Sequence, residues 1–414
     1  MVKIAILGFG IVGSGVAEIL TQNAETIALS ADSDIALKYI LDIRAFPDSP
    51  FADKFVQDFS VIESDPSVQV VVETIGGAGV AYDFTKRALL AGKSVVTSNK
   101  ELVATHGYEL LTIAKEKNVN YLFEASVGGG IPIIRPLVQC LAANEISEVA
   151  GILNATTNYM LTKMRTHGIS FDSALKEAQE LGYAEQDPSA DINGSDACRK
   201  ICILASLSFG EQIYPEQIPT EGITKVSQAD MRYANRAGWK IKLLGRAMRL
   251  ADGKIAAYVA PHLVRASSSL LANVEDVFNG IVVRGNAIGE VMFYGAGAGK
   301  LPTASAVVAD VIDCAKHLKA RKYMAWGAGG TDLVADVNTL AFRWYVRAPK
   351  GSEGVFGAVE LLACDGVDPN EAAFFTMPMS QAELAQKLEE SGAYAAFRLL
   401  EYTQGDYSRM LKDG

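Results

Sequence analysis

Charged residues that could do chemistry are concentrated between Gly182 and Lys200. Four acids stand in this segment and lead into a helix predicted over 191–208. Asp196 and Lys200 are four residues apart, so they share one face of that helix. Two interpretations stay open on these residues alone. One is a catalytic cluster, and the other is a set of acids at a helix N-terminus with an exposed ion pair, which is a common surface arrangement.

A glycine-rich turn follows the first predicted strand. Residues 3–7 form a short apolar run, Gly8, Gly10 and Gly13 come next, and residues 14–20 show helical periodicity. In this order the first glycine permits the turn, the second lets a pyrophosphate approach the backbone, and the third lets helix and strand pack closely. The helix N-terminus then faces the phosphates. The pattern predicts dinucleotide binding, and a tight turn without a ligand is the alternative.

The end of the second predicted strand bears on the choice of dinucleotide. An acid at this place binds the ribose 2′-hydroxyl of NAD, whereas an arginine receives the 2′-phosphate of NADP. The sequence offers both, as Asp42 and Arg44. We favour Arg44 and therefore NADP, with NAD as the alternative.

The order of predicted elements indicates an α/β protein. Strands and helices alternate up to about residue 130, which predicts a Rossmann domain with a doubly wound parallel sheet over residues 1–130. Residues 131–325 have α+β character and are predicted to form a substrate-binding, catalytic and dimerisation domain. This domain contains a hairpin over 242–249 and 255–264, and its helix from about residue 303 returns toward the first domain. The texture changes at Leu340, so we predict a small third domain over 340–414 with a helix over 355–364.

Composition excludes several classes of protein. The chain has 414 residues, 49% of them hydrophobic, and a net charge of −10 from 38 basic and 48 acidic residues. Such a chain has no global field that would gather nucleic acid or an anionic membrane. The five cysteines are scattered and never form a CxxC pair, which favours reduced thiols in the cytoplasm. No apolar run approaches the roughly 20 residues of a membrane span.

Seven sequence blocks, in order over about residues 1–320, resemble homoserine dehydrogenases. The blocks are GFGIVGSGVA (8–17), VVETIGG (71–77), TSNKELVA (97–104), EASVGGGIPII (124–134), GILNATTNYML (151–161), AQELGYAEQDPSADINGSDACRK (178–200) and YGAGAGKLPTASAVVAD (294–310). The resemblance implies a monofunctional, NAD(P)-dependent oxidoreductase that reduces L-aspartate 4-semialdehyde to L-homoserine. That reaction belongs to the pathway to threonine, methionine and isoleucine. The resemblance also implies a homodimer or a higher homo-oligomer.

The resemblance carries roles to particular residues. Lys200 matches the proton donor of the family, because an aldehyde that accepts hydride needs a proton on its oxygen. Lys100 would lie near both nicotinamide and substrate, and it is the rival for the acid role. Glu185 and Asp196 match the ligands of the substrate ammonium group, and Asp191 is expected to orient Lys200 or a water. The implied cofactor contacts are Gly8, Phe9, Gly10, Ile11, Val12, Gly13, Arg44, Thr74, Lys100, Gly182 and Gly299.

The resemblance further implies a structural sodium ion. The family holds this ion with backbone carbonyls of a glycine-rich loop, and the matching positions here are Glu124, Val127, Gly129 and Ile131. A loop without an ion is the alternative. The tail resembles a degenerate ACT-type regulatory module, with residues 348–354 replacing the usual ligand-binding turn.

Two other functions compete with this interpretation. An aspartate-type dehydrogenase would share the Rossmann half but would not be expected to carry the block at 178–200. A NAD(P)-sensing protein without activity would be expected to have lost the charged set. That set is complete in this sequence: Lys100, Glu185, Asp191, Asp196 and Lys200.

Overall fold

The computed structural model describes residues 1–318, 320 and 324–401. The chain divides into two compact units, each made of three segments of sequence. The first comprises Met1–Ala142, Cys202–Pro215 and Gly295–Gly329, and the second comprises Ala143–Ile201, Glu216–Tyr294 and Gly330–Gly414. Among the described residues, none of the helices is both long and apolar enough to cross a membrane.

The bounds of the regular elements follow the chain. The strands are β1 Val2–Leu7, β2 Ile35–Leu41, β3 Phe55–Val56, β4 Val68–Glu73, β5 Ser94–Thr97, β6 Tyr121–Leu122, β7 Ile146–Ile152, β8 Trp239–Arg249, β9 Ile255–Arg265, β10 Phe278–Gly285, β11 Gly289–Ala296, β12 Ala341–Phe342, β13 Trp344–Pro349, β14 Ala358–Leu362, β15 Glu371–Thr376, β16 Met379–Ser380 and β17 Ala395–Leu400. The helices are α1 Ile11–Gln22, α2 Ala24–Ala31, α3 Phe59–Ser64, α4 Val80–Leu90, α5 Lys100–Lys117, α6 Ala155–His167, α7 Phe171–Glu180, α8 Ser189–Ile192, α9 Ser195–Phe209, α10 Gln228–Arg236, α11 Lys300–Lys316 and α12 Gln381–Ser391.

A parallel sheet of six strands forms the centre of the first unit. Its order is β3-β2-β1-β4-β5-β6, and β1 lies between β2 and β4 with both pairings parallel. The central strands are rich in valine and isoleucine and are almost wholly buried, as expected for a sheet covered on both faces. The strand order reverses at β1, which is where a doubly wound sheet binds its ligand. The structure therefore confirms the predicted Rossmann-type sheet.

Helix α11 packs on α1 in the first unit. A Cβ on Gly15 of α1 would lie 3.0 Å from the Cβ of Ala304, so the two helices are in close contact. Near the start of α11, the Lys300 ammonium forms an ion pair of 2.6 Å with Glu18 of α1. The predicted third segment of this region thus supports the helix that opens the glycine-rich turn.

A mixed sheet of nine strands forms the second unit. Its order is β11-β10-β7-β8-β9-β17-β13-β15-β14. The hairpin β8–β9 pairs along its whole length, from Trp239 opposite Arg265 to Arg249 opposite Ile255. This confirms the hairpin that the sequence predicts, with strands a few residues longer at their outer ends.

The strands that follow Leu340 extend this same sheet. β17 runs parallel to β9, with Arg398 opposite His262, and β13, β15 and β14 continue outward from it. The helix predicted over 355–364 is wrong, because Gly357 has a φ of +60° and residues 358–362 pair with β15 as a strand. One helix, α12, lies between β15 and β17 in the described part of the tail. The ACT-like interpretation stays a prediction.

A buried charge cluster anchors α6 to the sheet of the second unit. The Glu275 carboxylate accepts hydrogen bonds from Lys240 (2.5 Å) and Lys242 (3.2 Å) of β8 and from Arg165 of α6 (2.8 Å). Burial alone would raise the pKa of Glu275, but the charge of Lys242, the Lys240 hydrogen bond and the charge of Arg165 lower it to about 2. Burial lowers the pKa of Lys242 to about 8. One ionised carboxylate thus compensates three cations, and this holds α6 in place.

Candidate active site

The glycine-rich turn leaves β1 at Leu7 and enters α1. Thr74, at the end of β4, donates its backbone N–H to Leu7 O (2.9 Å) and its hydroxyl to Gly8 O (2.9 Å). A Cβ on Gly13 would lie 2.0 Å from Gly8 O, so only glycine allows this approach of helix and turn. A Cβ on Gly10, in contrast, would meet no atom of the described chain within 4 Å. The turn therefore leaves open space at Gly10, where a pyrophosphate would approach the backbone, and the local geometry fits a dinucleotide.

Asp42 and Arg44 form a bidentate pair at the end of β2. Arg44 donates from Nε to Asp42 Oδ1 and from Nη2 to Asp42 Oδ2, both at 3.1 Å. Asp42 Oδ2 also accepts the backbone N–H of Phe9 in the glycine-rich turn at 2.7 Å. The Arg44 hydrogen bond, against the opposing effect of burial, lowers the pKa of Asp42 to about 2. The Arg44 side chain is 59% exposed, so its guanidinium is available to a ligand while Asp42 is almost buried.

A cavity of about 600 Å³ opens beside this turn within the first unit. Its wall includes Phe9, Phe46 and Phe51 on one side and Ser14 and Lys300 on the other. Phe9 packs edge-to-face against Phe46, with 5.1 Å between ring centroids. The aromatic group gives the turn a rigid apolar support next to its polar face.

Lys100 is the first residue of α5. Asn99 caps this helix by accepting the N–H of Leu102 (3.1 Å), and its amide donates to Gly77 O at 2.6 Å. The buried Glu73 carboxylate joins the same network, because it accepts the Thr97 hydroxyl at 2.6 Å. Burial raises the pKa of Glu73, against the effect of its hydrogen bonds. The network fixes the start of α5, and with it Lys100, to the loop after β4.

The predicted acid and lysine pair lies inside the second unit. Lys200 Nζ donates to Asp196 Oδ2 at 2.8 Å and to the backbone carbonyl of Leu153 at 2.7 Å. Asp196 is 5% exposed and Lys200 is 8% exposed. The alternative of an exposed surface ion pair is therefore wrong. A buried ammonium that two oxygens hold in one place is suited to donate a proton or to stabilise an oxyanion.

Asn154 is a member of this cluster that the sequence analysis missed. Its side-chain nitrogen donates to Asp191 Oδ1 at 2.7 Å and to Asp196 Oδ2 at 2.9 Å. Burial raises the pKa of Asp191, and the Asn154 hydrogen bond opposes this. The available signal was an asparagine placed just before a helical segment, but that pattern is also typical of a plain helix cap.

Other predicted residues of the second unit are not in this cluster of hydrogen bonds. Gly182 and Glu185 lie in the exposed loop between α7 and α8. Glu185 accepts a hydrogen bond there through its backbone carbonyl, from Gln179 Nε2 at 3.1 Å. The same loop is attached to α6, because the Thr156 hydroxyl donates to Tyr183 O at 2.7 Å. The Glu185 carboxylate thus faces outward on a loop tied to the start of α6.

The predicted sodium loop belongs to the first unit. The buried Glu124 carboxylate accepts three backbone N–H groups, those of Ile133 (2.7 Å), Ile134 (2.8 Å) and Arg135 (2.8 Å). Its own N–H donates to Asp310 at 2.8 Å. Burial raises the pKa of Asp310 to about 7, against the opposing charge of Arg135. The side chains here are occupied within the protein, so an ion would depend on the loop's backbone oxygens.

The remaining sodium positions are consistent with a backbone site. Val127, Gly129 and Ile131 are all buried. Gly129 has a φ of +58°, and a Cβ there would lie 2.5 Å from Gly297 O, so glycine is required. Gly299, a predicted cofactor contact, precedes α11 as its N-cap in the same unit. Among the described residues, no cluster of three or more His, Cys, Asp or Glu side chains could hold a metal.

Comparison with known proteins identifies the family of the chain. Residues 132–312 match the family model described as homoserine dehydrogenase, and residues 8–124 match its NAD binding domain. The homoserine dehydrogenase of Neisseria gonorrhoeae is 45% identical over 322 residues, which are 77% of this chain and 73% of that protein. The chain belongs to the homoserine dehydrogenase family of oxidoreductases. It therefore takes a nicotinamide cofactor and acts on a small molecule.

Solved structures of the family share the fold. A homoserine dehydrogenase from Thiobacillus denitrificans superposes with a TM-score of 0.88 at 34% identity, over 97% of this chain and 98% of that chain. A hyperthermophilic archaeal homoserine dehydrogenase in complex with NADPH has a TM-score of 0.65 at 32% identity, over 76% of this chain and 97% of that chain. The first of these matches extends over the tail as well as the Rossmann domain.

The two glycines of the turn give a matched pair of variants. We expect Gly13→Ala to lower the melting temperature and raise the KM for the cofactor, because its Cβ would collide with Gly8 O. Gly10→Ala should leave the melting temperature unchanged and still raise the cofactor KM by about tenfold or more, since its Cβ fills only the space for pyrophosphate. Thermal unfolding and cofactor kinetics check both. An unchanged cofactor KM in Gly10→Ala would contradict pyrophosphate binding at this turn.

Proposed function

We propose that this chain catalyses the reversible, NAD(P)H-dependent reduction of L-aspartate 4-semialdehyde to L-homoserine. The observation that carries the proposal is the buried pair of Lys200 and Asp196, held against Leu153 O in a member of the homoserine dehydrogenase family. A buried ammonium of this kind is unusual in a structural role, because its desolvation is costly unless its partners are well placed.

The proposed chemistry assigns the proton to Lys200. The nicotinamide, when bound, supplies or accepts the hydride. Lys200 donates a proton from Nζ to the oxygen that becomes the hydroxyl, and Asp196 keeps the ammonium charged before the transfer. In the reverse direction, neutral Lys200 takes the hydroxyl proton of L-homoserine. We assign Lys100, at the start of α5, as the second lysine near nicotinamide and substrate.

The substrate also carries an ammonium group, which needs carboxylates. We assign Glu185 and Asp196 to this ammonium, and Asp191 to the orientation of Lys200 or of a water. The hydrogen bonds that join Asp191 and Asp196 through Asn154 support a shared anionic site. Gly182 and Gly299 are proposed as further backbone contacts of the cofactor. These assignments follow the family's motif positions.

For the cofactor we propose a preference for NADP, with Arg44 as the ligand of the 2′-phosphate. The exposed guanidinium fork matches a phosphate, whereas the Asp42 oxygens already accept hydrogen bonds from Phe9 and Arg44. NAD remains the alternative, in which Asp42 exchanges Arg44 for the ribose hydroxyls. The archaeal relative in complex with NADPH agrees with the first choice.

Three further proposals concern the state of the protein. We propose a structural sodium ion on the backbone carbonyls of Glu124, Val127, Gly129 and Ile131, because the loop is buried and its glycine geometry is obligatory. We propose a homodimer or a higher homo-oligomer, as the family resemblance implies. We also propose a cytoplasmic location, which suits the five free cysteines of the described chain.

The first experiment measures the initial rate with L-homoserine at alkaline pH, with NADP and with NAD. Lys200→Ala and Lys100→Ala should each lower kcat by about 100-fold or more, the range for loss of a general acid. Lys176→Ala, which alters an exposed lysine of α7, serves as the control and should keep the rate. A near-normal rate for Lys200→Ala would remove Lys200 from the acid role. No rate from folded protein that binds cofactor would overturn the proposed reaction.

A second pair of variants tests the choice of cofactor. Arg44→Ala should raise the KM for NADP by about 10- to 100-fold, the value of one charge-assisted contact, and leave the KM for NAD nearly unchanged. Asp42→Asn should have the smaller effect on NADP. If Asp42→Asn instead weakens NAD while Arg44→Ala leaves NADP binding intact, NAD is the natural cofactor.

The sodium ion is tested by thermal unfolding in NaCl, KCl and choline chloride at equal ionic strength. A bound ion should raise the melting temperature in NaCl by a few degrees. Gly129→Ala should abolish the difference between salts, because the side chain displaces the loop. Equal melting temperatures of the wild-type protein in all three salts would contradict the site.

A further inference from the structure

Asn154 joins three elements of the second unit at one side chain. It follows β7 and is the N-cap of α6, where its Oδ1 accepts the N–H of Thr157 at 2.8 Å and the Thr157 hydroxyl at 2.9 Å. Its Nδ2 donates to Asp191 of α8 and to Asp196 of α9. The residue is 5% exposed, so both ends of the amide act inside the protein.

The helix cap determines which way the amide points. Because Oδ1 must face the first turn of α6, Nδ2 is directed toward the two acids, and a primary amide nitrogen has two hydrogens to give. Each of the two carboxylates receives one bond, at 2.7 Å and 2.9 Å. Without these donors the two like charges would face each other directly and would repel. One side chain therefore starts a helix and fixes the separation of two carboxylates.

The same contacts determine the setting of Lys200. Asp196 Oδ2 accepts from both Asn154 Nδ2 and Lys200 Nζ, and Lys200 also donates to the carbonyl of Leu153, the residue before Asn154. A shift of Asn154 would therefore move the carboxylate and the carbonyl together. These are the two oxygens that orient the ammonium in the structure.

We propose that Asn154 is a positioning residue, which holds Asp191 and Asp196 in place as ionised acids and thereby orients Lys200 for proton transfer. This inference rests on the proposed function for the role of Lys200, whereas the hydrogen bonds to the acids stand without it. Asn154 acts through the acids and the lysine, and it makes no proposed contact with the reacting atoms.

The groups that face Asp191 make the inference sensitive to pH. They are Asn154 and Thr156 of α6 and Asp196 and Lys200 of α9. Burial raises the pKa of Asp191 and the charge of Asp196 adds to this, while the Asn154 hydrogen bond and the charge of Lys200 oppose it. Removal of the Asn154 donors should therefore raise the pKa of Asp191 further. The acid then becomes protonated, and lost as an anion, at a higher pH.

Two substitutions separate the positioning role from the helix cap. Asn154→Ser and Asn154→Asp both keep an oxygen that can cap α6. Serine is too short to reach both acids, and aspartate replaces the two donors by a third carboxylate. Ser380→Ala, which removes the side-chain cap of α12 (3.1 Å to Glu383 N), is the matched control for loss of a helix cap alone.

The first measurement is the pH profile of kcat/KM with L-homoserine. We expect Asn154→Ser to lower kcat/KM by about 10- to 100-fold and to move the acidic limb of the profile to higher pH. Asn154→Asp should lose more, and Ser380→Ala should lower only the melting temperature. If Asn154→Ser stays within about twofold of the wild type with an unmoved acidic limb, Asn154 is a helix cap and the inference is wrong.

The second measurement needs no turnover and uses the full chain without substrate. Because burial places the folded pKa of Asp191 above its unfolded value, the native state binds more protons between the two values, and stability falls as pH rises through this window. In Asn154→Ser the window should extend to higher pH than in the wild type. A shifted window in a chain that does not oxidise L-homoserine would support the contacts and reject the proposed reaction. An active wild type with no shift in either measurement would reject the positioning role alone.

Discussion

A buried ammonium is stable in a protein only where oxygens surround it, and Lys200 meets this condition at the point where β7 ends. The strand delivers the Leu153 carbonyl, and α9 delivers the Asp196 carboxylate one helical turn before the lysine. Both partners are required, because a charge left unpaired at this depth would neutralise instead. The sheet of the second unit, its helix α6 and the start of α9 must therefore keep a single arrangement for the lysine to be charged.

That arrangement depends on a second charged group farther along α6. Arg165, near the end of this helix, and Lys240 and Lys242 of β8 surround the Glu275 carboxylate. The helix is thus fixed at its first residues by Asn154 and near its last turn by Arg165. Two separated attachments prevent rotation of the helix about its axis, which a single attachment would allow. The polar residues of the second unit thereby position its chemistry, while the long β8–β9 hairpin supplies a stable floor.

Local patterns in the sequence were sufficient for part of this. The turn from Gly8 to Gly13 forms as predicted because the glycines answer a local steric demand, shown by the 2.0 Å approach at Gly13. The shared helix face of Asp196 and Lys200 follows from their spacing. Asn154 was missed because its partners are 37 and 42 residues away, and no local pattern reports such distances. The helix over 355–364 failed for the same reason, since pairing with β15 decides the conformation there.

The pair of Asp42 and Arg44 shows why residue type alone left the cofactor open. An acid and an arginine two residues apart at a strand end are compatible with either dinucleotide when they are considered separately. In the folded chain they are one unit, because Asp42 receives Phe9 of the glycine-rich turn on one side and the Arg44 fork on the other. The acid thus serves to orient the arginine and to hold the turn against β2. A carboxylate committed in this way favours the guanidinium, rather than itself, as the group that meets the ribose.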